Sequence, residues 1–251
     1  MGKIVLMFDL DGTILDTNIQ HAILAAEVMH NHFGLSPKEA TKRYHETSGI
    51  PFPRQLEKIF PNATEGQRKK CAEEYASQKR RIYENARLFG DVIPTLEALH
   101  QKGYELILSS AAAPELIDLS LKKFGLTKYF SEVYGESRGL KAQHINALRA
   151  ERANHTVVFV GDSRYDVSFG KTGQVVTIGR AGKRREGLWR IPALYKAGAT
   201  VATKDLRILT KLDLEKVAAT ATKNRRVIRK SPTKNPYPLR RVLGKIRRIK
   251  P

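Results

Sequence analysis

Cysteine is nearly absent from this 251-residue chain. Cys71 stands alone, so no intramolecular disulfide can form and nothing calls for an oxidising compartment. Its charged, helix-like surroundings offer no nucleophile context, and it reads as structural. Long apolar runs are missing too. The longest near the start, Ile4 to Phe8, ends at an aspartate and is too short for a signal-peptide core or a membrane-spanning helix, so cytoplasmic residence is the expectation. Acidic residues are missing from one place. Lys216 to Pro251 holds 13 Lys or Arg and no Asp or Glu, a large part of the net charge of +20. Aromatic residues are scarce there as well, with Tyr237 alone, which excludes a stacked, sequence-reading nucleic-acid surface. What remains for residues 216–251 is non-specific, salt-sensitive attraction to polyanions such as nucleic acid or the ribosome. With Pro232, Pro236 and Pro238 and few large apolar residues, residues 214–251 are expected to form a basic disordered tail.

The rest of the chain is ordinary for a soluble globular protein, with 41% apolar and 28% charged residues overall. Five short aliphatic segments read as buried strands: Ile4–Asp9, Tyr104–Ser110, Glu132–Tyr134, Thr156–Gly161 and Val175–Ile178. Continuous rather than alternating apolar character points to strands covered on both faces, as in a parallel sheet. Helical patterns fall between them at Val92–Lys102, Pro114–Phe124, Ala142–Arg152 and Tyr165–Lys171, with Gly103, Gly125 and Gly173 where helices would stop. The alternation predicts a doubly wound α/β fold with a parallel sheet. Residues 17–87 break the rhythm. They hold amphipathic helical patterns at Ile19–Phe33, Pro37–Glu46, Arg54–Phe60 and Gln67–Asn85, punctuated by Pro51, Pro53 and Pro61. An all-helical insertion after the first strand is expected to form a cap over the carboxyl edge of the sheet, where open α/β sheets bind ligands.

Chemistry concentrates at that edge. Asp9-Leu10-Asp11-Gly12-Thr13 follows the first strand and presents two carboxylates there, with Gly12 allowing a sharp turn. Gly161-Asp162-Ser163-Arg164-Tyr165-Asp166 follows the fourth strand and delivers two more. Four carboxylates at two neighbouring strand ends repel one another unless a cation joins them, and an all-oxygen set suits Mg2+. Ser110 ends the second strand, and Lys141 opens a helix from which its ammonium can meet a phosphate.

Asp9–Asp11, Ser110, Lys141 and Asp162–Asp166, in this order and at strand ends, resemble the four motifs of haloacid-dehalogenase-like (HAD) phosphatases over about residues 3–210. The resemblance implies a phosphate-monoester hydrolase with a HAD α/β core formed by residues 1–16 and 88–213. Asp9 would be the nucleophile that carries the phosphoryl group as an aspartyl-phosphate. Asp11 would protonate the leaving oxygen and then activate water. Ser110 and Lys141 would hold the phosphoryl oxygens, with Thr13 beside them. Asp162, Asp9 and the backbone carbonyl of Asp11 would bind Mg2+, with Asp166 supporting the metal or Lys141. Ser110 is preferred over Ser109 because Pro114 then falls at the family spacing. Dehalogenases of the family lack the second aspartate, so Asp11 favours phosphate transfer. Asp16 is read as a cap for the helix beginning near Thr17.

The insertion resembles the helical caps of phosphoglycolate phosphatases and β-phosphoglucomutase relatives, which implies a small phosphorylated metabolite as substrate. Ser48–Arg54 resembles the loop through which such caps select substrate. Arg54 reads either as a second anionic anchor or as a solvated helix-start arginine. His21 matches a position where some sugar-phosphate mutases and phosphatases carry histidine, and reads equally as a histidine at a helix surface. The loop Arg180–Arg185, with Lys183 and Arg184, either borders the entrance or is a solvated turn. Two alternatives stay open: a sugar-phosphate mutase, and a nucleic-acid-associated phosphatase or scaffold directed by the basic tail.

Overall fold

The computed structural model describes residues 3–172, 175–182 and 191–219. β1 (Ile4–Phe8) is followed by four helices, α1 (Asn18–Phe33), α2 (Pro37–Thr47), α3 (Phe52–Ile59) and α4 (Glu65–Glu84). Then α5 (Val92–Gln101), β2 (Glu105–Ser109), α6 (Pro114–Lys123), β3 (Glu132–Tyr134), α7 (Lys141–Glu151), β4 (Thr156–Gly161), α8 (Arg164–Lys171) and β5 (Val176–Arg180) alternate. α9 (Ile191–Ala197) and β6 (Val201–Thr203) follow. The strands form one sheet in the order β3-β2-β1-β4-β5-β6, and every pairing is parallel. This is the doubly wound order whose ligand crevice opens where the strand order reverses, at the carboxyl ends of β1 and β4.

β1 lies at the centre because nothing in Ile-Val-Leu-Met-Phe needs water. All five side chains are buried, each stabilising by about 1.5–3 kcal/mol relative to exposure. The period of two divides them between layers. Leu6 and Phe8 pack with α5 and α6 through residues such as Leu96 and Ile117, while Val5 and Met7 pack with Ile145 and Leu148 of α7. The register sets Phe8 beside Leu108 and Val160, so β1, β2 and β4 end level with one another.

The four inserted helices start where their sequences provide caps. Ser36 accepts from Glu39 N–H ahead of α2, and Thr64 and Gln67 form a reciprocal capping box ahead of α4. Stacked rings, Phe33 on Phe60 at 3.9 Å and Phe52 on Tyr75 at 4.1 Å, join them. Cys71 is buried among them, and burial pushes its thiol up to about 12, which fits a structural role. The chain enters and leaves the insertion side by side. Asp16 N–H donates to Arg87 O, Phe89 N–H donates to Ile14 O, and Leu15 bridges Leu88.

Several expectations need correction. α3 starts at Phe52, two residues before the expected Arg54, because Pro53 sits in its first turn, where a missing N–H costs nothing. Asp16 does not cap α1. The cap residue is Thr17, and Asp16 is exposed. β6 and α9 were not foreseen, since three and seven residues are too few to show a period. The disorder expected from residue 214 does not hold for its first residues: 214–219 are helical, with Leu214, Val217 and Ala218 buried in the core. Arg180 is not part of a solvated turn but is buried. Lys183, Arg184, Gly173 and residues 220–251 lie outside the described residues, and with them most of the expected polyanion contact. None of the described helices is long and apolar enough to cross a membrane.

Arg180 closes the end of β5 onto α5. Its guanidinium donates to both oxygens of Asp91 at 3.0 and 2.8 Å and lies 3.8 Å from the centre of the Phe89 ring. Asp91 also accepts from Leu206 N–H at 2.6 Å. Asp91→Ala leaves a buried guanidinium and a backbone donor without an acceptor. It is expected to cost about 3–5 kcal/mol, read as a lower midpoint in denaturant unfolding. A loss under about 1 kcal/mol would show that the clip is dispensable.

Candidate active site

Two turns at the carboxyl edge build the site. Asp9 N–H still donates to Val160 O at 2.8 Å, after which the chain leaves the sheet. Gly12 turns with φ 78°, and a Cβ there would lie 2.2 Å from Asn18 Nδ2 and 2.5 Å from an Asp162 oxygen. Glycine is therefore required both for conformation and for space, because the turn after β1 presses against the turn after β4. Asn18, the first residue of α1, donates to that same Asp162 carboxylate at 2.6 Å.

Lys141, the first residue of α7, is buried between two carboxylates, 2.7 Å from Asp9 Oδ1 and 2.8 Å from Asp166 Oδ1. Burial alone would favour its neutral form, but Asp166 and Asp9 outweigh it and hold the ammonium above its usual range. The other oxygen of Asp166 accepts from Ser163 N–H at 3.0 Å and from Ser163 Oγ at 2.6 Å, so Asp166 braces Lys141 and the α8 turn. Asp9, Asp162 and Asp166 each offer an oxygen within 4.8 Å of the others. One ammonium does not balance them. Burial, then repulsion from Asp166, pushes Asp162 up to about 7, and burial with repulsion from Asp166 and Asp162 raises Asp9 despite Lys141. A buried all-oxygen set with surplus negative charge fits a divalent cation.

Asp11 turns the other way, toward the inserted helices. Its Oδ1 accepts from Thr17 Oγ1 at 2.8 Å and faces His21 Nε2 at 3.1 Å, and its Oδ2 accepts from Tyr83 OH at 2.8 Å. Burial opposes its charge, but His21 and Thr17 hold the carboxyl well below the usual range. His21 Nδ1 lies 2.7 Å from Tyr75 OH. Both ring nitrogens of His21 are thus engaged within the protein and the ring is buried, which corrects its reading as a histidine at a helix surface.

The remaining expected residues divide. Ser109 points into the core and pairs with His144 Nδ1 at 2.9 Å, whereas Ser110 lies just beyond β2, its hydroxyl accepting from Ala112 N–H at 3.0 Å. Thr13 is buried, 3.5 Å from Asp9 Oδ2. A cavity of about 70 Å³ separates the sheet edge from the insertion. Asp9, Asp11, Lys141, Asp162 and His21 line it, but Ser110, Thr13, Asp166 and Arg54 do not. Arg54 is a correction: its side chain is 63% exposed and paired with Glu57, because α3 turns position 54 outward. The cation on the cap side of the cavity is instead Lys79. Tyr75, Lys79 and Tyr83 recur every four residues and so share one face of α4. That stripe of two aromatics and a cation in a highly charged helix was the available signal.

The substrate-loop resemblance of Ser48–Arg54 has a physical counterpart at Gly49. With φ 99°, it lies so close to α8 that a Cβ would be 2.2 Å from Ser163 Oγ and 2.8 Å from Tyr165 Cβ. The insertion is thereby seated beside the Asp162 turn.

Comparison with known proteins agrees with this geometry. Residues 6–179 match the family model described as haloacid dehalogenase-like hydrolase. The chain is 31% identical over 185 residues to the phosphoglycolate phosphatase of Aquifex aeolicus, covering 66% of this chain and 79% of that protein. It is 24% identical over 180 residues to the pyrophosphatase PpaX of Halalkalibacterium halodurans, covering 68% and 80%. Among solved structures, a Clostridium acetobutylicum protein described as a predicted phosphatase superposes with a TM-score of 0.70 at 20% identity, over 86% of this chain and 100% of that one.

Gly49→Ala is expected to lift the insertion from α8 and lower kcat/KM by about 10–100-fold, since misplacement on the ångström scale costs that much. Steady-state kinetics on a phosphate ester checks this. An unchanged kcat/KM would show that the close approach is irrelevant to turnover.

Proposed function

The chain belongs to the haloacid dehalogenase-like hydrolases and is a phosphatase of that family, and from that premise we propose an Mg2+-dependent enzyme that hydrolyses a small, anionic phosphate ester through an aspartyl-phosphate. The observation that carries this reading is the placement of Asp9: buried, open to the cavity, 2.7 Å from Lys141, with a second carboxylate two residues on. An Asp9 oxygen attacks phosphorus as the bond to the leaving oxygen breaks, and the Asp11 carboxylate relays to that oxygen the proton that a phosphate monoanion brings into the site. Asp11 then takes a proton from water as the water oxygen attacks the phosphorus of the aspartyl-phosphate, releasing phosphate and restoring Asp9. Lys141 holds the phosphoryl oxygens and offsets charge where it accumulates. Asp9, Asp162 and the Asp11 backbone carbonyl would hold Mg2+, which supplies the positive charge that lets a carboxylate approach a phosphate dianion. Asp166, with both oxygens engaged, positions Lys141.

Size and charge narrow the substrate. A water needs about 10–15 Å³ of such space, so a cavity of about 70 Å³ fits a phosphoryl group with a short remainder. Lys79 on the cap side favours a remainder that is itself anionic. The relatives named phosphoglycolate phosphatase and pyrophosphatase agree with both features.

Phosphate release with Mg2+ from phosphoglycolate, pyrophosphate, hexose phosphates and an aryl phosphate tests this reading. Asp9→Asn is expected to lower turnover by at least about a thousandfold, and chelation of Mg2+ to abolish it. Lys79→Met is expected to raise KM most for the anionic substrates. Undiminished turnover in Asp9→Asn ends the assignment, and an isomerised product in place of free phosphate turns it to a mutase.

A further inference from the structure

Asn18 opens α1 and reaches the turn after β4, where its Nδ2 donates to Asp162 Oδ2 at 2.6 Å. Asp162 is buried, and the proposed Mg2+ site depends on it. The torsion that turns an aspartate carboxylate about its Cβ–Cγ bond is soft, so the direction of its oxygens has to be fixed from outside. Asp9 and Asp166 are each fixed by an ion pair with Lys141. Asp162 has no such ion pair among the described residues, and its restraint comes from the Asn18 amide.

The backbone makes room for this contact. A Cβ at Gly12 would lie 2.2 Å from Asn18 Nδ2 and 2.5 Å from Asp162 Oδ2, so the bonded atoms occupy the space that a side chain there would fill. An amide also suits the charge of the site. It donates without carrying charge, whereas a lysine at position 18 would compete with a bound cation for Asp162. An aspartate there would add to three buried carboxylates that already repel one another. Asn18 is half-buried at the cavity wall, where a hydrogen bond to an ionised acceptor is stronger than in water.

We propose that Asn18 is a positioning residue for the metal: its amide fixes the Asp162 carboxylate in the orientation a divalent cation needs, and so sets the affinity for that cation. Removing a group that orients a metal-ligating side chain typically costs about 10–100-fold in metal affinity. The inference rests on the Mg2+-dependent reading of the site. It assigns Asn18 to the metal rather than to the substrate, although its side chain borders the same cavity.

Calorimetric titration of Mg2+ into the full chain, in buffer free of phosphate and substrate, provides the test. Asn18→Ala and Asn18→Leu are each expected to raise the Kd for Mg2+ by about 10–100-fold over wild type. Leucine keeps the size of the side chain and removes the donor, so agreement between the two assigns the loss to the hydrogen bond rather than to volume. Thermal unfolding in EDTA gives the stability of each variant without metal. The rise in Tm on adding a fixed Mg2+ concentration is expected to be smaller in both variants than in wild type. If one variant fails to fold, the other carries the comparison. With an aryl phosphate, turnover at limiting Mg2+ is expected to fall in the variants and to recover as Mg2+ is raised, which a distorted substrate pocket has no reason to do. An unchanged or tighter Kd overturns the proposal. So does a raised KM at saturating Mg2+ with metal affinity intact, since Asn18 is then a substrate contact. Asp162→Asn separates this inference from the reading beneath it. A wild type that binds no Mg2+, or binds it no better than Asp162→Asn, removes the metal reading itself. An Asp162-dependent site whose Asn18 variants keep the wild-type Kd removes only the role of Asn18.

Discussion

A single buried ammonium organises the sheet edge. Lys141 sits buried between Asp9 and Asp166 and pairs with both. Its position follows from α7 beginning at that residue, and α7 is held by Ile145 and Leu148 packing on the same face of the sheet as Val5 and Met7. Asp166 in turn is fixed by the Ser163 capping box that starts α8. The site geometry therefore derives from helix starts at the ends of parallel strands, which the packing of the sheet dictates. The charge left over, three carboxylates to one ammonium, keeps the edge receptive to a further cation.

Above this edge the inserted helices act as the second half of the site rather than as a cover. They contribute Asn18 to Asp162, Thr17, His21 and Tyr83 to Asp11, and Lys79 to the far wall. At Gly49 bare backbone meets the side chains of Ser163 and Tyr165, and that close approach sets the separation of the two halves. A wall of this kind holds Asn18, Thr17, His21 and Tyr83 at hydrogen-bond distance from their carboxylate partners.

The core of this arrangement was legible in the sequence, and its upper half was not. Asp9, Ser110 and Asp162 stand out because each ends or follows an apolar run, so polarity at a strand end is visible without knowing the fold, whereas Lys141 was found as the start of a helix. The four inserted helices were legible from their amphipathic patterns and the prolines between them, to within two residues at each end. Tyr75, Lys79 and Tyr83 were not, because α4 is polar on most of its surface and the side that meets the sheet cannot be read from hydrophobic period. Arg54 failed for the same reason in reverse: proximity in sequence to the Ser48–Pro53 loop says nothing of the face a helix turns to it. β6 and α9 are held by neighbours rather than by local preference, as Ala199 and Leu194 packing with Val167 illustrates.

The two crossings between sheet and insertion lie side by side, joined at Leu15 and Leu88 and by the bond from Asp16 to Arg87. A segment of about seventy residues thus begins and ends at nearly the same point, as an inserted unit does when its host tolerates it well. The sheet edge, with Asp9, Lys141 and Asp162, can persist while what is spliced between these neighbouring points changes in size or chemistry. In this architecture, diversification of substrate is a matter of exchanging one cassette. The exchange carries one obligation, since any replacement must bring its own partners for Asp11.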